Sequence, residues 1–212
     1  MSYHDGWAAI NMEMPRRIPR VEFDAERHWD LVRAVTGIDV CLASPDELKW
    51  KACGAFIRAW NYDIFLSALV LHEELGPMRT NMGHATYAAG GIDYDNALRC
   101  PFKTPEDVLA YDPWEVIGPK DRKELIRRFD EHYRQNCGNN PDGVNMTGTY
   151  VTLVSGLISL FGWEMLLLAM GTDPEGFGRL ANRYASWMQQ YYDALAETSV
   201  SVIYSHDDIV WT

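Results

Sequence analysis

Short apolar or β-branched runs alternate along this chain with stretches that carry helix-start signals, and the alternation leaves few fold classes open. The runs are Ile18 to Phe23, Tyr62 to Ser67, Val144 to Thr147 and Val200 to Tyr204. The helix starts share one style. Ser44-Pro45-Asp46-Glu47 offers an N-cap serine, proline at the first helical position and Glu at the third, and Thr104-Pro105-Glu106-Asp107 and Asp173-Pro174-Glu175 repeat it. Leu180, Ala181, Tyr184, Trp187, Met188, Tyr191 and Leu195 follow Phe177 in an i, i+3, i+4, i+7 rhythm, which predicts one amphipathic helix over Asp173–Glu197. Asp24 to Val35 before Gly37, and Asp121 to Cys137 before Gly138, read as helices with a glycine stop. This order predicts right-handed βαβ units around a parallel sheet, either doubly wound or closed as a (β/α) barrel. The stretch Gly76 to Arg99 is too long for a plain connection.

With 212 residues, 47% of them hydrophobic, the chain has apolar material for one ordinary core, and 1–212 reads as a single domain. Thirty acidic residues stand against nineteen basic ones, a formal charge of −11. No Lys/Arg cluster interleaves with aromatics, so nucleic acid is not expected as a partner. Cys41, Cys53, Cys100 and Cys137 form no Cys-x-x-Cys pair, and Met-Ser-Tyr-His-Asp lacks the basic and apolar regions of a signal peptide. Reduced thiols in a cytoplasmic protein are expected. Thr152 to Met170 approaches the length of a membrane span, but Glu164 lies inside it and no Lys/Arg flanks it closely, so a helix sandwiched in a protein core is expected instead.

In parallel α/β folds the chemistry gathers at the carboxyl ends of strands. The four ends here offer Arg20, Glu22 and Asp24; Ser67 and His72; Asn145, Thr147, Thr149 and Tyr150; and His206, Asp207 and Asp208. Asp24 reads as a helix N-cap or a ligand. His72, behind "LSALVL", reads as a hydrogen-bonded packing residue or a functional one. Arg17 and Arg20 flank Pro19 and are either surface charges or the holders of an anionic group. Adjacent Asp207 and Asp208 point to opposite sides of an extended chain, so one is expected to face a site and the other to cap the next helix or pair with a neighbour. No P-loop, Gly-x-Gly-x-x-Gly or Gly-x-Ser-x-Gly motif is present, which speaks against NTPase, dehydrogenase and α/β-hydrolase chemistry.

"RRIPRVEFDAERHWDLV", "NYDIFLSALVLHEELG", "GTYVTLVSGLISLFGWEMLLLAM" and "SVIYSHDDIVWT" together resemble the uroporphyrinogen decarboxylase superfamily over essentially the whole chain. The resemblance implies the TIM (β/α)8 barrel fold, here its first four βα units with N-terminal helices. Relatives continue past the Asp-Asp strand end with a Gly…Ser-Pro stretch and four more strands, so this chain is expected to be the N-terminal half. It implies His206, Asp207 and Asp208 as catalytic residues at the barrel mouth, with Arg17, Arg20, Glu22, Ser67, His72, Arg79, Thr147 and Tyr150 as substrate-binding residues.

Three departures bear on the branch. The Arg-rich, glycine-containing segment that holds tetrapyrrole propionates in a decarboxylase reads "RVEFDAERHW" here. Its essential aspartate corresponds to Ser67, and its tyrosine falls on or near Gly156. A serine cannot supply the carboxylate charge that stabilises a protonated pyrrole. The resemblance therefore implies a corrinoid methyltransferase-like or uncharacterised member, with tetrapyrrole decarboxylation in porphyrin biosynthesis and non-catalytic corrinoid or porphyrin binding as alternatives. Zinc and a corrinoid are the groups implied for the methyltransferase branch, although its His-x-Cys pair and later Cys belong to the second half. The partners implied are a small molecule, a tetrapyrrole or a corrinoid protein, and a second copy of the chain, because open sheet edges are sticky.

Overall fold

The computed structural model describes residues 1–80, 85–88, 91–94 and 100–207, with 85–88 and 91–94 described by their backbone. The chain divides into two compact units, Met1–Ser67 with His132–Met146, and Ala68–Glu131 with Thr147–Thr212.

The first unit opens with α1 (Tyr3–Ile10), a 3-10 turn (Ala25–Arg27), α2 (Trp29–Thr36) and α3 (Asp46–Ala59), followed by β1 (Ile64–Phe65). Val32, Val40, Ala52, Phe56, Tyr62 and Phe65 form its core. Gly37 ends α2 at φ +70°, the expected glycine stop. The expected helix from Asp24 is broken, because Asp24 itself is left-handed at φ +60° and its carboxylate pairs with Arg27 at 3.3 Å rather than capping. Ser44 does not cap α3 either; its hydroxyl accepts from the Cys41 N–H at 3.0 Å and Pro45 holds the cap position.

In the second unit β2 (Ala68–Val70) leads to a 3-10 turn (His72–Leu75) and an antiparallel hairpin, β3 (Ala85–Ala88) and β4 (Gly91–Tyr94). Next come α4 (Pro105–Leu109), where Thr104 and Asp107 form the expected capping box, and α5 (Pro113–Val116). The helix α6 (Arg122–Asn139) passes through the unit boundary and leads into β5 (Val144–Asn145), which pairs parallel with β1 in the first unit. It runs one residue past the expected stop at Gly138, ending at Asn139.

After β6 (Thr147–Thr149) the second unit adds α7 (Leu153–Thr172), α8 (Pro174–Leu195) and β7 (Ile203–Ser205). Strands β2, β6 and β7 form a parallel sheet with β6 in the centre. The predicted amphipathic rhythm of α8 buries Leu180, Tyr184, Trp187, Met188 and Tyr191 against α7, and Asp173 caps it by accepting from Gly176 N–H at 2.9 Å.

Helix α7 is two helices in series. Gly162 at φ +69°, ψ 162° interrupts it, which strands the carbonyls of Ile158 and Ser159 that would otherwise accept from residues 162 and 163. Thr80 satisfies them: its N–H donates to Ser159 O at 2.6 Å, and its hydroxyl lies 2.9 Å from Ser159 O and 3.2 Å from Ile158 O. Among the described residues α7 is the one helix long and apolar enough to cross a membrane, and half of its most apolar stretch is buried in the unit's core.

The barrel expectation is overturned. Among the described residues the parallel strands are two or three residues long and lie in two separate small sheets, so the fold is mixed α/β and not the first four βα units of a TIM barrel. The causes are local. Ile18–Phe23 makes no ladder, since Pro19 has no N–H to give and one carbonyl, Arg20 O, takes both Asp63 N–H (2.8 Å) and Ile64 N–H (3.4 Å). A register irregularity interrupts β2 against β6 between Ala68 and Val70, and β7 (Ile203–Ser205) takes up only Ile203 and Tyr204 of the expected Val200–Tyr204 run.

Candidate functional site

The three parallel strands of the second unit bring their carboxyl ends to one edge, and the side chains just beyond them carry rings. Tyr150 N–H donates to Val70 O at 2.8 Å and His206 N–H to Thr149 O at 3.1 Å, so both residues are held by a continuation of the ladder. The imidazole of His206 lies flat on the Tyr150 ring, centroids 4.5 Å apart and planes 8° apart. His72 meets Tyr150 edge-on at 5.5 Å, and Tyr204 lies 6.1 Å from His206. His72, Tyr150, His206 and Tyr204 thus form one row of rings, each neighbouring pair worth about 0.5–1.5 kcal/mol beyond burial.

Hydrogen bonds from neighbouring elements orient the row. His72 Nδ1 is 2.7 Å from the hydroxyl of Ser159, a fully buried residue of α7. Thr152 Oγ1 donates to His206 O at 2.7 Å. Asp207 is not free: its carboxylate accepts from Val154 N–H at 3.1 Å and Ser155 N–H at 3.2 Å, capping α7 as the structural member of the Asp-Asp pair. Asp208 lies outside the described residues, as does much of Gly76–Arg99.

The other expected residues are placed as follows. Thr147 is fully buried in β6, and period-two alternation puts it on the face of Thr149, whose hydroxyl lies 3.5 Å from that of Tyr192 on α8; it faces the helix side rather than the rings. Arg79 donates to Gly76 O at 2.7 Å, and its guanidinium is 3.7 Å from Glu73. In the first unit Arg17 donates to fully buried Asp63 at 2.5 Å, Arg20 donates to Trp60 O at 3.0 Å and covers the Trp60 ring, and Glu22 is exposed. The Ser67 hydroxyl is 2.8 Å from Nε2 of His132, whose pKa burial lowers below its ordinary value, so the imidazole is neutral near pH 7.

Sequence reasoning missed Tyr204 and Ser159. Tyr204 was legible in principle, being two residues before His206 on an extended chain and so on the same face. Ser159 carries no local signal, since 87 positions separate it from His72. Gly156 has no room for a side chain: the Tyr184 hydroxyl, which donates to Thr152 O at 3.1 Å, would overlap a Cβ there.

What the row can do follows from its atoms. Ring faces and edges suit a flat conjugated ligand, and two imidazoles can take or give a proton. Zinc fits less well. Among the described residues no three His, Cys, Asp or Glu side chains stand together as a metal site requires, and burial pushes the Cys53 and Cys100 thiols up, opposite to a metal-binding thiolate.

No family model, curated protein or solved structure matches this chain. The functional reading therefore rests on the ring row and on the sequence stretches that flank it.

Proposed function

We propose that the protein is a corrinoid methyltransferase-like member of the uroporphyrinogen decarboxylase superfamily, and that the ring row is where a corrinoid or related tetrapyrrole macrocycle docks. The observation that carries this is the flat contact of His206 on Tyr150 at the carboxyl ends of β6 and β7, flanked by His72. A stack of this kind offers a planar ligand a preformed face, with imidazole nitrogens at its rim. Three of the four stretches of sequence resemblance supply the row's residues, His72, Tyr150, and Tyr204 with His206.

Decarboxylation is the weaker reading. The carboxylate it calls for is replaced by Ser67, whose hydroxyl is engaged with His132, while Arg17 and Arg20 are engaged with Asp63 and Trp60. Non-catalytic binding of the macrocycle is favoured over it by one specific observation, the use of Asp207 as a helix cap, which removes a carboxylate from chemistry.

Incubation with methylcobalamin and a thiol acceptor tests the proposal. Transfer moves the methyl group to the thiolate sulfur and leaves the bonding pair on cobalt, and a thioether product with a Co(I) spectrum is expected. A saturable spectral change with no product supports the binding reading, and no interaction with a cobalamin or a porphyrin contradicts both.

A further inference from the structure

The first unit holds a nucleophile and a base that the macrocycle reading leaves unused. Ser67 follows β1, and His132 lies in the part of α6 that belongs to the same unit, 65 positions along the chain. Their side chains meet with Oγ 2.8 Å from Nε2, within the reach of a serine nucleophile and its general base. Among the described residues no other group bonds either ring nitrogen, so the imidazole can carry its proton on Nδ1 and accept the serine proton at Nε2. Burial lowers its pKa, which keeps the ring uncharged near neutral pH. Both residues are only half-buried, which leaves the pair open to a small molecule. A third element lies on the backbone. Met146 N–H donates to Phe65 O at 2.9 Å, the last rung that joins the end of β1 to the end of β5. In a parallel ladder the next rung takes the Ser67 N–H to Met146 O. That rung is not made, and among the described residues the Ser67 N–H enters no hydrogen bond. An unpaired N–H on the nucleophile's own residue serves as an oxyanion donor in serine hydrolases.

We infer that Ser67 and His132 form an acyl-transfer dyad that acts on small carboxylic esters. Ser67 Oγ attacks the ester carbonyl carbon as its proton passes to His132 Nε2, and the oxygen that gains charge is met by the Ser67 N–H. The bond to the alcohol then breaks, and the alkoxide leaves with the proton from Nε2. Water attacks the acyl-serine in the same way, passes its proton through Nε2 to Oγ, and releases the carboxylic acid. Among the described residues no carboxylate holds Nδ1, so turnover is expected to fall about ten-thousand-fold short of a full triad.

Two reagents on the full chain test this: a fluorophosphonate, whose fluoride an activated serine displaces, followed by intact mass and peptide mapping, and p-nitrophenyl acetate, followed by nitrophenolate release. One phosphonyl adduct on Ser67 is expected, and both reactions are expected to be lost in Ser67→Ala. His132→Gln is expected to slow labelling about a hundredfold or more. With the wild type the labelling rate is expected to be level near neutral pH and to fall below the ordinary histidine value of 6.5, as Nε2 takes up a proton. Melting curves show that each variant is folded, and the pH profile needs no variant. No adduct on Ser67, or ester hydrolysis unchanged in Ser67→Ala, overturns the site. A labelling rate indifferent to pH between about 5 and 8, or to His132→Gln in a folded variant, overturns the role of the base.

Discussion

His206 lies flat on Tyr150, centroids 4.5 Å apart, while the next residue, Asp207, turns its carboxylate to the first N–H groups of α7. Neighbouring residues of one strand end thus divide into a ring that faces the site and a carboxylate that holds the helix beside it.

This division separates two variants. Asp207→Ala is expected to lower stability by about 1 kcal/mol, the usual cost of losing a helix cap, and to leave macrocycle binding in place. His206→Ala is expected to abolish macrocycle binding and also to lower stability, through the lost ring contacts with Tyr150 and Tyr204. Melting curves and ligand titrations on both proteins check that binding is lost in His206→Ala alone.

Gly156 is under steric control by Tyr184. Gly156→Ala is expected to cost about 1–3 kcal/mol, because the added methyl must displace a fully buried tyrosine whose hydroxyl donates to Thr152 O. Gly156→Ala combined with Tyr184→Phe is expected to recover only a small part of the loss, measured by denaturant unfolding, since the hydroxyl is then gone but the ring carbon Cζ, 2.6 Å from the added methyl, remains.

Glu74 and His132, both half-buried, contribute to the acid limb of stability. Burial alone would raise the Glu74 carboxyl, but hydrogen bonds from Arg128 (2.7 Å) and Lys120 (3.1 Å), with their charges, outweigh it and hold the pKa below its ordinary value. A depressed carboxyl contributes stability that is complete above its unfolded pKa and lost as pH falls through the folded one. His132, lowered by burial, is kept neutral in the fold, so its contribution fades earlier, as pH drops from the ordinary 6.5 toward its folded value. Urea midpoints against pH are therefore expected to fall in two stages. His132→Asn should flatten the first stage, and Glu74→Gln the second, at a cost of roughly 3 kcal/mol near neutrality from the uncompensated cations.

Tyr111 buries a hydroxyl that has no hydrogen-bond partner among the described residues, and burial raises its pKa to about 12. Tyr111→Phe is expected to leave stability unchanged or raise it by about 1 kcal/mol, since the desolvation penalty disappears with the hydroxyl. A calorimetric melt checks the sign.

What the sequence made legible follows the range of each interaction. The caps at Thr104 and Asp173 and the buried face of α8 depend on residues within a turn or two, and the expected elements formed there. Three of the four expected runs hold a short strand, β1, β5 and β7, since a β-branched run is a local pattern, while β2 lies beyond the expected Tyr62–Ser67 run. Strand pairing is not local, and the expected first strand found one carbonyl contact in place of a ladder. Nor was the fate of Arg17 visible, because its partner Asp63 is 46 residues away. Ser44 failed as a cap for a local reason: the competing Cys41 N–H offered its hydroxyl a turn of its own.

The most direct test of the central claim is a visible-absorbance titration of a cobalamin and of a porphyrin with the wild-type chain and with the His206→Ala, Tyr150→Ala and Asp207→Ala variants. Saturable shifts with the wild type and Asp207→Ala, weakened at least about tenfold in the two ring variants, are expected if each ring contact supplies 1.4 kcal/mol or more. Equal shifts in all four proteins, or none in the wild type, would contradict the assignment of the row His72, Tyr150, His206 and Tyr204 as the macrocycle site.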